Sequence, residues 1–214
     1  MYLLMCRWIL LCCFFCALNG YAQTGTYKPV ADAAAFKEQF AKASQATQSI
    51  QADFVQEKEL SMLSDKIVSK GKFWFRKENK VRMEYQQPSY YLMIMNGREI
   101  ITRDGQKQNK VSARGNKLFE QINRITVDCV QGNVLNNPDF TSKVLENAQY
   151  YRLELTPVSK ALAQYFKAIQ LMVDKKDYSV SQIIMQENGG DNTSISFLHK
   201  QLNVPVADAV FTAK

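Results

Sequence analysis

From Ile50 onward the apolar residues of this chain recur at every second position, in one short segment after another. Ile50, Ala52 and Phe54 alternate with Gln51 and Asp53. Ile67, Ser69, Gly71, Phe73 and Phe75 alternate with Val68, Lys70, Lys72, Trp74 and Arg76, and Val81, Met83 and Tyr85 alternate with Lys80, Arg82 and Glu84. A period of two puts successive side chains on opposite sides of a strand, so each segment has one dry face and one wet face. Tyr90 to Met95 is apolar on both faces and ends in Asn96-Gly97, a hairpin dipeptide. Glu99 to Thr102 follows, and Asp104-Gly105 turns the chain toward Lys107 to Ser112. Alternation resumes after Asn136-Asn137-Pro138, with strands expected at Thr141 to Glu146, Tyr150 to Thr156, Phe166 to Asp174 and Val180 to Glu187. The turn Asn188-Gly189-Gly190-Asp191 leads to Thr193 to Gln201, and Val206 to Phe211 closes the chain. The pattern predicts about ten strands in antiparallel succession.

Two segments break this rhythm. Phe36, Phe40 and Ala43, at spacings of four and three, predict an amphipathic helix over Ala31 to Gln45, with Asp32 as its cap or first-turn acid. Leu118 and Ile122 predict a second helix over Asn116 to Asn123, and the residues from there to Asn137 fit either period. The expected fold is therefore mainly β (α+β): a strongly curved antiparallel sheet or barrel with helices against one mouth or face.

Cysteine usage fixes the compartment. Of five cysteines, Cys6, Cys12, Cys13 and Cys16 lie in one N-terminal apolar run that carries a single positive charge, Arg7. The run ends in Gly20-Tyr21-Ala22, the small-x-small pattern of a signal-peptidase site. Residues 1–22 are expected to be a cleaved secretory signal, leaving 23–214 as one exported domain with Cys129 alone, and so without an internal disulfide. The apolar run is too short for a comfortable spanning helix of about twenty residues. No small residue precedes any of its cysteines, as a lipoprotein anchor would require.

Cleavage lowers the formal charge from +7 to +6, so the exported chain stays basic. It has no run of five or more consecutive Lys or Arg, and no nucleic-acid partner is expected. Attraction to anionic lipid or an acidic protein, or plain solvation, accounts for the excess.

The inventory for catalysis is thin. His199 is the lone histidine and sits in an alternating strand, so a Ser-His-Asp or Cys-His arrangement would have to use it. There is no Gly-x-Ser-x-Gly elbow, phosphate loop or dinucleotide fingerprint. One His and one Cys do not make a zinc site, and Cys129 reads as a small buried hydrophobe. No catalytic residue, metal or cofactor is expected. A hydrolase built on a pair of carboxylates is the reading left from another class; Glu84, Glu99 and Glu154 are isolated acids explained by wet strand faces.

The unusual feature is soft apolar bulk: Phe54, Phe73, Phe75, Met83, Tyr85, Tyr91, Met93 and Met95 fall on successive strands at one parity in each. They would line one face, either as core beneath a helix or as a cavity for flexible apolar ligands. The stretches Ile50-Gln51-Ala52-Asp53-Phe54-Val55-Gln56-Glu57-Lys58, Ser69-Lys70-Gly71-Lys72-Phe73-Trp74-Phe75-Arg76-Lys77, Lys80-Val81-Arg82-Met83-Glu84-Tyr85 with Pro88, and Leu92-Met93-Ile94-Met95-Asn96-Gly97 carry a resemblance that decides between these. In order and spacing they resemble the outer-membrane lipoprotein carrier protein family (LolA). A looser likeness continues through Tyr151 to Pro157 and Phe166 to Ile184.

The resemblance implies an incomplete antiparallel barrel closed by a helical lid, with a cavity that shelters the acyl chains of lipoproteins carried from the inner to the outer membrane. It implies a cavity lined by Phe54, Phe73, Phe75, Met83, Tyr85, Tyr91, Met93 and Met95, and lid residues Phe36, Phe40, Leu118 and Ile122. It also implies an inner-membrane release complex and an outer-membrane acceptor as partners of a monomeric carrier. The family's lid-latching Arg aligns with Lys77, followed by Glu78 where Pro is usual. Lys lacks the planar fork of Arg, so the latch is expected to be looser, or to use Arg76 or Arg82. A carrier or sensor of some other envelope lipid would read almost identically.

Overall fold

The structure, a computed structural model, describes residues 26–62, 65–77, 79–97, 99–105, 107–112, 125, 128–129 and 132–213. The N-terminal run and the expected helix with Leu118 and Ile122 lie outside the described residues.

The alternating segments form one antiparallel sheet. In chain order the strands are β1 (Lys28–Pro29), β2 (Ser49–Glu59), β3 (Lys66–Arg76), β4 (Lys80–Gln87), β5 (Tyr91–Asn96), β6 (Glu99–Asp104), β7 (Lys107–Ser112), β8 (Phe140–Glu146), β9 (Tyr150–Pro157), β10 (Phe166–Asp174), β11 (Val180–Glu187) and β12 (Asn192–Leu202). In space they run β1-β8-β9-β10-β11-β12-β2-β3-β4-β5-β6-β7, and β1 and β7 do not pair, so the barrel is incomplete. Connections between consecutive strands generate the whole order except two steps, β1 beside β8 and β12 beside β2. β12 pairs with β2, with Phe197 opposite Phe54, and that long-range seam joins the two halves. The two-residue β1, in what the sequence reads as a polar lead-in, pairs Lys28 with Glu146 on β8.

The helix α1 (Ala33–Ala46) begins two residues later than its periodicity predicts, because Asp32 is its N-cap. The Asp32 carboxylate accepts from the amides of Ala34 and Ala35 at 3.0 and 2.9 Å. A one-turn helix α2 (Lys160–Ala163) joins β9 to β10. Val206 to Phe211 does not extend the sheet; Asp208–Phe211 is a 3-10 turn.

The two faces have separate apolar clusters. On the inner face Phe36 and Phe40 of α1 join Phe54, Phe73, Phe75, Leu153, Leu155, Ile169, Leu171, Val173 and Phe197 in one buried cluster. On the outer face Leu92, Ile94 and Phe211 are buried together, with Trp74, Ile101, Val206 and Val210 packed against them. This explains why β5 is apolar on both sides: the C-terminal segment covers its second face.

Gly71 holds the tightest point of the sheet. It faces Phe54 across β2 and Tyr85 across β4, beside a register shift in β3. A Cβ there would stand 2.0 Å from the Glu84 carbonyl oxygen and 2.8 Å from the Phe54 ring. Gly71→Ala must therefore part β3 from β4. It is expected to destabilise the protein by about 3 kcal/mol, seen as a lower urea midpoint; an unchanged midpoint would contradict this packing.

Candidate functional site

The eight apolar residues singled out by parity come together. Phe54, Phe73, Phe75, Met83, Met93 and Met95 are all buried, and Tyr85 and Tyr91 are partly buried against the same cluster. Cross-strand register sets their order: Phe73 faces Met83, Met83 faces Met93, and Tyr85 faces Tyr91. Phe54 meets Tyr85 edge-on at 4.9 Å, and Tyr85 meets Tyr91 at 5.7 Å. The Tyr85 hydroxyl donates to Gln56 Oε1 at 2.9 Å. Burial pushes the Tyr85 phenol up to about 12, so it stays neutral and keeps this donor at any physiological pH.

α1 covers the opposite half of the interior. Phe36 stacks on Phe40 at 5.7 Å and tilts against Tyr151 at 4.6 Å, and Tyr151 stacks on Tyr178 at 5.7 Å. Behind the helix, Gly132 brings the chain so close that a Cβ would stand 2.5 Å from Ser44 Oγ, and Gly132 has φ of +71°. Cys129 and Val134 on either side of it are buried in the same cluster. Burial pushes the Cys129 thiol far up, so it is an inert hydrophobe. Between the helix end and the sheet, Ser44, Thr47, Ile50, Phe73, Val180 and Phe197 bound a cavity of about 20 Å³. That is room for one water-sized group, so this cavity as it stands does not hold an acyl chain.

The three latch candidates separate. Lys77 reaches α1: its Nζ donates to the Gln45 carbonyl, and its backbone N–H donates to the Gln48 carbonyl at 2.9 Å. α1 has no basic residue in its own last turn, so Lys77 supplies from the end of β3 the cation that a helix C-terminus favours. Arg76 and Arg82 are on the outer face and hold the C-terminal segment instead. Arg76 donates to the Val206 carbonyl and pairs with Asp208, while Arg82 donates to the Val210 carbonyl at 2.9 Å. Lys80 and Arg76 hold the Asp208 carboxyl down to about 2. The stability this clasp lends is present above the ordinary value of 3.8 and is lost as pH falls through about 2. Beside the clasp, Trp74, Arg82, Tyr90, Leu92, Arg103 and Val210 line an open groove of about 440 Å³.

The isolated acids do not converge. Glu84 pairs with Arg82 at 2.6 Å and Glu154 with Arg152 at 3.0 Å, and Glu99 is exposed. Among the described residues no carboxylate is buried, and no three His, Cys, Asp or Glu side chains cluster as a metal site. His199 Nδ1 lies 2.9 Å from Asp53 on the outer face. No helix among the described residues is long and apolar enough to cross a membrane.

The profile described as outer membrane lipoprotein carrier protein LolA matches residues 45–214. The chain belongs to the LolA family. No match is found among curated proteins. Among solved structures, an uncharacterized conserved protein from Thermus thermophilus superposes with a TM-score of 0.52 at 9% identity, covering 83% of this chain and 90% of its own. The LolA superfamily protein NE2245 from Nitrosomonas europaea has a TM-score of 0.48 at 13% identity, covering 86% and 99%. A DUF1329 family protein from Desulfovibrio piger ATCC 29098 has 0.48 at 14%, covering 83% and 96%. At these identities the likeness concerns the fold.

Half of the interior escapes sequence reasoning. Leu153, Leu155, Ile169, Leu171, Val173 and Ile183 are almost fully buried, and their alternation is visible, yet nothing in β9 to β11 carries the diagnostic family motif. Tyr151 and Tyr178, which pack against α1, carry no local signal, since only the fold brings them to Phe36. Replacing Lys77 by Ala removes the cation at the α1 C-terminus, worth about 0.5–1 kcal/mol. Exchange of the α1 backbone amides is expected to quicken two- to fivefold by mass-detected hydrogen exchange while the sheet is unaffected. Equal protection in both proteins would show that Lys77 does not restrain the helix.

Proposed function

We propose that this LolA-family protein is a periplasmic carrier that takes the acyl chains of lipoproteins into the interior beneath α1 and moves them from the inner to the outer membrane. An inner-membrane release complex and an outer-membrane acceptor serve as donor and recipient. The observation that carries this reading is the single apolar interior shared by α1 and an open sheet: Phe36 and Phe40 are in the same cluster as Phe73, Phe75, Met83, Met93 and Met95.

The energetics favour exchange of the helix for a lipid. Swinging α1 away exposes two Phe side chains at roughly 1.5–3 kcal/mol each. A twelve-carbon chain leaving water gains about 0.8 kcal/mol per CH2, or roughly 9 kcal/mol. The surplus binds the chain, and the competing helix keeps binding reversible, as a carrier requires. Methionine and phenylalanine walls accept chains of differing shape without a fixed contact geometry. Carriage needs no bond made or broken, so the proposed role is not enzymatic.

A fluorescent acyl probe added to the mature protein is expected to bind with 1:1 stoichiometry, and mass spectrometry of the protein purified from its own envelope should find acylated cargo. Met93→Glu places a carboxylate on the inner face and should weaken the probe by at least about tenfold; Phe36→Ala, which loosens the lid alone, should instead raise the association rate. Absence of acyl binding by the folded wild-type protein would sink the carrier reading.

A further inference from the structure

The inner face of β12 carries one residue out of keeping with its surroundings. Thr193, Ile195 and Phe197 alternate inward and are buried, so the strict period would next send His199 into the interior. It does not. The register slips between Leu198, opposite Asp53, and Gln201, opposite Gln51, so that His199 and Lys200 together face Ala52 alone. This is a β-bulge, whose effect is to re-aim side chains. His199 takes φ of +51° and turns outward to Asp53, and Lys200 is turned inward to the cavity bounded by Ile50, Phe73, Val180 and Phe197. A left-handed non-glycine residue thus brings a partly buried lysine to a cavity whose walls mix Ile50, Phe73, Val180 and Phe197 with the hydroxyls of Ser44, Thr47 and Ser179.

Two hydroxyls receive that lysine. Lys200 Nζ donates to Ser179 Oγ at 2.5 Å and Ser181 Oγ at 2.9 Å. Ser179 is itself fixed, its Oγ and N–H both donating to Asp177 Oδ1 at 2.6 and 2.8 Å. Among the described residues no carboxylate is within ion-pair distance of Lys200. Burial lowers the affinity of its amine for a proton, against the fields of Asp177 and Asp174. An ammonium has three donors, and the two serines use two of them. Ser44 of α1 and its C-cap Thr47 form the facing wall, so the proposed movement that admits a chain also opens the wall opposite this cation.

We infer that Lys200, positioned by Ser179 and Ser181, is the headgroup anchor of the acyl-binding interior, and that it takes a hydrogen-bond-accepting oxygen fixed to the head of the acyl chain. An ester carbonyl and an anionic carboxylate or phosphate both present that chemistry. The bulge sets the polarity of the bound lipid, with its chain over Phe73 and Phe197 and its head toward the α1 C-terminus. This inference rests on the carrier reading and specifies its ligand.

The test compares three twelve-carbon competitors against a fluorescent acyl probe in the mature protein: laurate, methyl laurate and dodecane. The wild type is expected to prefer laurate over dodecane, and Lys200→Met to reduce that preference about tenfold, the worth of a charge-assisted hydrogen bond. The double variant Ser179→Ala, Ser181→Ala keeps the charge but frees it, and is expected to reduce the preference by a smaller factor. Loss of the methyl laurate preference as well identifies an ester carbonyl as a sufficient head; loss for laurate alone identifies an anionic one. If Lys200→Met shifts all three competitors alike, or none, Lys200 is structural and the inference fails while acyl binding stands. Failure of the wild type to bind any of them removes the carrier reading and the anchor together. Competition by acetate as strong as by laurate would overturn the anchor, since the head would then bind without its chain.

Discussion

The packing of Phe36 and Phe40 against the inner face of the open sheet is the contact on which the rest of the structure depends. An antiparallel sheet with one dry face must cover it, and this sheet does not close on itself, since β1 and β7 remain apart. Among the described residues no disulfide holds the gap, Cys129 being a free, buried thiol. The helix supplies the cover, and it is fastened by few polar contacts. Lys77 holds its C-terminal carbonyls, Asp32 caps its N-terminus and Gly132 presses from behind. A cover fastened mainly by apolar area can be displaced by other apolar matter, and that links the fold to the proposed carriage of acyl chains.

The two faces of β3 to β5 have different tasks, and the distinction follows from parity. Phe73, Phe75, Met83 and Met93 point into the interior cluster that Phe36 and Phe40 of α1 also join. Trp74, Arg76, Arg82 and Leu92 point away from it and bind the C-terminal segment, which is held by Asp208 and the carbonyls of Val206 and Val210. On the proposed carriage the inner face opens and refills while the outer face keeps the strands in register. Gly71 adds rigidity at the point where Phe54, Tyr85 and the Glu84 carbonyl crowd together.

Much of this is legible in the sequence. Alternation places the strands to within a few residues, the spacing of Phe36 and Phe40 places α1, and Phe-x-Gln, Gly-x-aromatic-Trp and Asn-Gly place the family. Contacts between segments distant in sequence are not legible. Periodicity gives a residue's face but not what covers that face, so Arg76 and Arg82 read as lid latches although they hold the C-terminal segment. Tyr151 and Tyr178 are invisible as lid contacts for the same reason. Lys200 is hidden by a different cause: simple alternation assigns it outward, and only the bulge at His199 reverses that. A local break in the period is where pattern reading fails, and here it coincides with a cation turned into the interior.

In the proposed carrier, α1 leaves the sheet when an acyl chain enters. Nitroxide labels on Lys42→Cys in α1 and Lys72→Cys on β3, both at exposed positions, report the helix-to-sheet distance directly, with the buried Cys129 inert to the label. By pulsed electron paramagnetic resonance, saturating an acyl ligand should replace the short distance of the free protein by a longer one. Full occupancy by the ligand with an unchanged distance distribution would contradict the account.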